Sequence, residues 1–220
     1  PILPLKNFSV VKAAISIIMM ADCVDHKNTM FLVIVHGVKN NPERIFGQTK
    51  TGLTFVGNNS GYFNWLFDDF GIQDLYENKI NRDVNCQSFG GKYVQVPTTV
   101  SLAQGIHFSD LGERRESDFI SPYIINQGTV VHIDNFGLIK IKSSFDDALS
   151  FGDEVEVFIN GKFSKNAIYS QKMKQENDGT WVLFRGSSLG GLPELGCVRM
   201  ENSASLINVK EGDIITWKKT

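Results

Sequence analysis

The sequence predicts an α/β N-terminal domain with a mostly parallel sheet, followed by an all-β C-terminal barrel or sandwich. Three observations carry this. Helical periodicity is confined to the first half, where Val10, Ala13, Ala14, Ile17, Ile18 and Ala21 recur at the spacing of one helix face. A continuous apolar run over 30–35 has the length and β-rich composition of a strand covered on both faces. The second half places the turn dipeptides Asn160-Gly161 and Asp178-Gly179 between short alternating segments, the pattern of hairpins.

Each element follows from local signals. Ser9 stands where a helix N-cap belongs. Gly37 and Asn40-Asn41-Pro42 end the run at 30–35 in a loop. Residues 53–56 read as a second strand, Gly57-Asn58-Asn59-Ser60-Gly61 as a turn, and Tyr62, Trp65, Leu66 and Asp69 as a helix. Gly90-Gly91 opens a loop, and 96–103 reads as a helix ending before Gly105. The polar stretch 112–122 marks a boundary between domains 1–116 and 122–220. Beyond it, Val131 to Lys140 reads as a strand, a tight turn on Asn135-Phe136-Gly137 and a returning strand. Residues 213–217 read as a closing strand.

Charge and composition narrow the function classes. The net charge is -2, and the densest charged run, Glu113-Arg114-Arg115-Glu116, cancels itself. Neither nucleic acid nor an anionic membrane is implied as a partner. The longest apolar stretch, 13–21, is far below the ~20 residues of a membrane span, and no signal peptide is expected. Cys23, Cys86 and Cys197 are odd in number and far apart, as in a reduced, cytoplasmic protein without a disulfide framework or zinc site.

Several segments, in order, resemble one family. Residues 7–14 (Asn-Phe-Ser-Val-Val-Lys-Ala-Ala) are similar to its Pro-Phe-Asp-Ile-Arg-Glu-Ala-Ala helix start, and 55–61 (Phe-Val-Gly-Asn-Asn-Ser-Gly) to Phe-Val-Gly-Pro-Asp-Asn-Gly. Ser88-Phe89-Gly90-Gly91-Lys92 followed by Pro97 resembles Thr-Phe-His-Gly-Arg and its trailing Pro. Ile133-Asp134-Asn135-Phe136-Gly137-Leu138 resembles the turn Ile-Asp-x-Phe-Gly-Asn, and 194–204 with 209–213 resembles the closing Glu-Ile-Ala-Val-Asn and Leu-Lys-Val-Gly-Asp segments. The chain thereby resembles the S-adenosyl-L-methionine (SAM) hydroxide adenosyltransferases and the related fluorinases and chlorinases. The family's opening strand with Thr-Asp-Phe-Gly has no counterpart here, so about its first fifty residues are expected to be absent.

The resemblance implies a chemistry: water or halide attacks the ribose C5′ of SAM and methionine leaves. The sulfonium is a good leaving group, so the protein's work is positioning and desolvation. SAM or adenosine is the implied ligand, with no cofactor and no metal, and the implied assembly is a homotrimer whose sites lie between subunits. In the family an Asp, an Arg and a His hold the attacking water. These positions fall on Val35, Arg44 (across a one-residue gap) and Gly90. The Asn that grips the methionine head group falls on Leu138, which implies that SAM gains little over adenosine.

The candidate site residues divide accordingly. Arg44 and His36 are the catalytic candidates: Arg44 is otherwise a solvated partner of Glu43, and His36 a loop histidine placed to replace the missing base. Asp134, Phe136, Gly90, Gly91, Ser188, Arg199 and Met200 are the substrate-binding candidates. Asp134 has the competing role of bonding its own turn, and Gly90-Gly91 reads either as a flexible loop or as a nest of N–H groups for an anion. Ser188, Arg199 and Met200 fall near segments whose backbone receives adenine in the family. His132 reads as facing outward, and Phe63, Trp65 and Phe67 as core. Three readings remain open: a SAM hydrolase, a halide-using variant, and a binding homologue that has lost the chemistry.

Overall fold

The computed structural model describes residues 2–5, 9–35, 42–80, 89–145 and 148–220. His36, Cys86 and Ser88 lie outside the described residues. The chain divides into two compact units, Pro1–Ile124 and Ile125–Thr220.

The first unit opens with α1 (Val10–Ala21), capped by Ser9, whose Oγ accepts the Lys12 N–H at 3.1 Å. Such a cap satisfies one of the donors that a helix start leaves open. All six periodic positions, Val10 to Ala21, are buried. Strands β1 (Met30–Leu32), β2 (Arg44–Thr49), β3 (Thr54–Asn58), β4 (Ile72–Asn78) and β5 (Gly112–Arg114) form one sheet in the order β1-β3-β2-β4-β5. Only β1 and β3 run parallel; the other three pairings are antiparallel. The expected mostly parallel sheet is therefore a mixed one. The reason is local: residues 50–53 join β2 to β3, and a parallel pair needs a far longer crossover. The run at 30–35 is also corrected. Its strand is three residues long at the sheet edge, and Ile34 is 56% exposed.

Both faces of this sheet are covered. Phe46 and Val56 pair across β2 and β3 and cluster with Leu111, flanked by Leu102 and Phe108. On the opposite face Phe55 packs on Phe63 and Phe67, ring centroids 5.2 Å and 4.9 Å away, the latter on α2 (Asn64–Phe70). At Gly47 a Cβ would lie 2.0 Å from the Asp74 carbonyl, so only glycine permits the β2–β4 contact. The helix expected over 96–103, α3 (Val96–Ala103), continues backward through a π-helical segment, Gly91–Gln95. Pro97 has no N–H to donate, and just before it the Val96 N–H reaches back to the Gly91 carbonyl. A short α4 (Phe108–Leu111) leads into β5.

The second unit is a curled sheet built from β6 (Thr129–Ile133), β7 (Ile139–Lys142), β8 (Glu154–Ile159), β9 (Lys162–Tyr169), β10 (Trp181–Arg185), β11 (Pro193–Cys197) and β12 (Ile215–Lys219), with α5 (Ser203–Leu206) between the last two. Their order is β12-β8-β9-β10-β11-β7-β6. Asn160 and Gly161 both have positive φ and make the expected tight hairpin between β8 and β9. Asp178-Gly179 forms a turn but not a hairpin, because β10 runs parallel to β9. The two ends of the sheet meet: Val130 N–H donates to Asp213 O, Gly212 N–H to Val130 O and Ile215 N–H to Gly128 O, at 2.8–2.9 Å. Val130, Ile139, Ile141, Val155, Val157, Leu183, Leu195 and Ile215 fill the interior.

No helix of the described residues is long and apolar enough to cross a membrane. Among the described residues no group of His, Cys, Asp and Glu could hold a metal ion, and Cys23 and Cys197 are free thiols.

Candidate functional site

In the first unit the C-terminal ends of the parallel strands β1 and β3 meet the start of the helix at Gly90. Open α/β sheets favour ligands at such strand ends. A buried polar network organises this corner. Gln95, 1% exposed, donates to Asn58 Oδ1 at 3.1 Å and to the Val33 carbonyl at 3.5 Å. Asn58 Nδ2 donates to the Val35 carbonyl at 3.3 Å. The Tyr62 hydroxyl accepts the Asn58 N–H and donates to the Val33 carbonyl at 3.3 Å. Burial pushes the Tyr62 pKa strongly upward, so the phenol stays neutral and can donate. Residues 33–35, which leave β1 without being strand themselves, are thus held by Asn58 at the end of β3, Tyr62 in the turn that follows it, and Gln95 of the helix.

Arg44 begins β2 directly opposite Asn58. Its guanidinium runs to Gly90: a Cβ there would lie 2.2 Å from Nη2 and 2.4 Å from Nε. Arg44 Nε is buried and has no hydrogen-bond partner among the described residues. The structure thus brings Arg44 and Gly90 together and places the buried Val35 at the same corner. Phe89, at φ 62, turns the chain into the helix that Gly90 continues at φ -53. Gly90 and Gly91, expected as a flexible loop or an anion nest, instead form the start of this helix. A bulky residue at positive φ is unusual, and Phe89 is 76% exposed. At Gly91 a Cβ would meet Ile34 at 3.1 Å.

In the second unit Asp134 closes the turn after β6. Its Oδ1 accepts the Phe136 N–H at 2.9 Å and the Leu138 N–H at 2.8 Å. The turn is clamped to the segment before α5: Asn202 N–H donates to Phe136 O and Ala204 N–H to Gly137 O, both at 3.0 Å. A Cβ on Gly137, at φ 80, would strike Asn202 Cα at 2.5 Å, so position 137 must be glycine. These clamps hold Phe136 outward, 77% exposed, beside the segment that carries Arg199 and Met200. Arg199 pairs with Asp178, both well exposed, and Met200 is 47% exposed. The N–H groups of Cys197, Val198 and Met200 are already donated, to Ser203 Oγ, Thr180 O and Cys197 O.

Ser188 has a different neighbour from the one its position in sequence suggests. Its Oγ lies 3.0 Å from Lys140 Nζ, which also bonds Glu194. Lys140 and Glu194 face each other across β7 and β11, and both are buried. In sequence Lys140 alternates with Ile139 and Ile141 and reads as a solvent-facing lysine. Nothing local signals its partner on another strand.

No protein-family model matches the chain, and no curated protein does. Solved structures do. An uncharacterized conserved protein from Thermotoga maritima superposes with a TM-score of 0.84 at 22% identity, covering 97% of this chain and 86% of that one. A conserved hypothetical protein from Thermus thermophilus superposes with a TM-score of 0.75 at 18% identity, covering 97% and 84%. At such identities the likeness is one of fold.

Proposed function

We propose that this chain is a SAM- or adenosine-binding protein of the hydroxide adenosyltransferase type, with slow or lost turnover. The observation that carries the reading is the Arg44–Gly90 contact. Where the resemblance places a water-holding Arg and His, one guanidinium takes up the room of both side chains. Arg44 supplies charge and hydrogen-bond donors to a nucleophile; it cannot accept its proton, because arginine stays protonated. Val35, in the acid's position, cannot accept it either. The nucleophile is therefore held without being activated. Phe136, fixed outward by its clamped turn, offers the adenine a stacking surface. In a homotrimer of the implied kind, these two half-sites come together across protomers.

The buried Arg44 Nε, without a hydrogen-bond partner among the described residues, favours a second reading, in which the held nucleophile is a halide. An anion needs no base, so the loss of Asp and His costs such a reaction less than it costs hydrolysis.

The test is titration calorimetry with adenosine and SAM, then overnight incubation with SAM read by chromatography. Adenosine binding with very slow adenosine release is expected. Failure of both ligands to bind overturns the proposal. Release of 5′-chloro-adenosine only with chloride present moves the second reading to first place. Light scattering at micromolar concentration checks the trimer; a monomer counts against it.

A further inference from the structure

We infer that Asn160 is a site of spontaneous covalent modification, deamidation, which the folded second unit restrains and which loosens the seam of the curled sheet once it occurs. Asn160-Gly161 is the one Asn-Gly pair in the sequence. Asparagine is among the thermolabile residues, and a following glycine leaves the attacking main-chain nitrogen unhindered. Both residues are exposed at the tip of the β8–β9 hairpin, and a Cβ on Gly161 would meet nothing within 4 Å. The step balances with water alone. The Gly161 nitrogen loses its proton and bonds to Asn160 Cγ, the Cγ–Nδ2 bond breaks, and ammonia leaves with that proton. The cyclic imide that remains takes up one water and opens to aspartate, or to isoaspartate with an extra methylene in the main chain.

The fold supplies the restraint. The ring forms only if Asn160 Cγ swings onto the Gly161 nitrogen. Its two amide atoms are held elsewhere: Oδ1 accepts the Ile214 N–H at 2.9 Å, and Nδ2 donates to Asp213 Oδ1 at 3.0 Å. The Asn160 N–H adds a third bond, to the Ile214 carbonyl at 2.8 Å. Modification therefore waits on local opening, whose population depends on how firmly 213–214 are held. The same contacts decide the consequence. Asp213 is 8% exposed, and its second oxygen, Oδ2, accepts the Lys210 N–H at 2.9 Å. After modification to aspartate a carboxylate oxygen stands where Nδ2 donated, so two like charges meet with no donor between them. A tie becomes a repulsion. Next to that tie lie the bonds that close the sheet, Val130 N–H to Asp213 O and Ile215 N–H to Gly128 O.

The experiment incubates the full chain and the free peptide Phe-Ile-Asn-Gly-Lys-Phe in the same mildly alkaline buffer, and follows conversion of Asn160 by peptide mapping and mass spectrometry. The native chain is expected to convert at least about tenfold more slowly than the peptide, the effect of one charged hydrogen bond or more. Asp213→Ala, which frees Nδ2, should bring the rate back towards that of the peptide. Asn160→Asp, the product made directly, should speed hydrogen exchange at the Val130 and Ile215 amides. Asn160→Gly keeps a turn residue suited to positive φ and carries no charge. Its seam should exchange more slowly than that of Asn160→Asp, which separates repulsion from mere loss of the tie or failure to fold. Three results overturn the inference: conversion of the native chain at the peptide's rate, no conversion in either the native chain or Asp213→Ala, or seam exchange in Asn160→Asp no faster than in Asn160→Gly. None of these measurements involves SAM, so the proposed function stands or falls separately.

Discussion

Arg44 and Gly90 compete for one volume: the guanidinium nitrogens stand 2.2–2.4 Å from where a Cβ at position 90 would be. Any side chain at 90 must push Arg44 away. The displaced part is the far end of a flexible chain, so the cost in stability is small and the cost falls on the site. Gly90→Ala and Arg44→Ala are each expected to shift Tm by only a few degrees. Residual release of adenosine from SAM should drop at least about tenfold in each. Because both act through Arg44, the double variant should lose little more. Chromatographic rates on the three variants check this.

Asn58 and Gln95 bond each other and hold the segment after β1. Gln95→Leu leaves Asn58 Oδ1 without that donor. A buried polar group left unsatisfied costs about 1–3 kcal/mol, which urea denaturation would resolve. Asn58→Ala should cost a similar amount, with the double variant well short of the sum.

Phe136 is exposed while its turn is clamped, so binding and stability separate there. Phe136→Ala is expected to change stability by no more than about 0.5 kcal/mol. It should weaken adenosine by about 1–3 kcal/mol, the usual worth of an aromatic stack under a base. Gly137→Ala should do the reverse damage, lowering Tm sharply through the clash with Asn202. Calorimetry and thermal unfolding of the two variants test the separation.

The raised pKa of Tyr62 makes a pH prediction. Its folded value lies above the unfolded value near 10. Above pH 10 the unfolded chain releases this proton first, so the native state holds more protons and stability falls as pH rises. Below pH 10 the contribution is fully present. Tyr62→Phe loses bonds to Asn58 and Val33 and should be less stable at pH 8. Its stability should nevertheless fall less steeply between pH 10 and 11 than that of wild type. Equal slopes count against the assignment.

What the sequence made legible was local. The Ser9 cap, the faces of α1 and the Asn160-Gly161 hairpin depend on residues within a few positions of one another, and each formed where its pattern lay. The mixed sheet was not legible, because Arg-Ile-Phe-Gly-Gln-Thr in β2 alternates poorly and hides a strand. The edge position of β1 depends on which strands flank it, which an apolar run does not encode. In the candidate site, Arg44 and Gly90 could be named singly. Their contact could not, since glycine has no side chain to announce a neighbour. The Lys140–Glu194 pair spans 54 positions and carries no short-range signature at all.

The closure of the curled sheet bears on how the chain is made. Val130 finds its partners in Gly212 and Asp213, and Gly128 finds its partner in Ile215. A ribosome emits the first of these strands seconds before the last, at roughly 5–20 residues per second. Until 212–215 emerge, β6 is left with an open edge, the form of strand most prone to pair with the wrong neighbour. The second unit therefore completes its hydrogen-bonded ring only as synthesis passes that point. Closure of that edge waits on one late, long-range meeting, and a chain truncated before residue 212 is expected to keep this side of β6 unpaired.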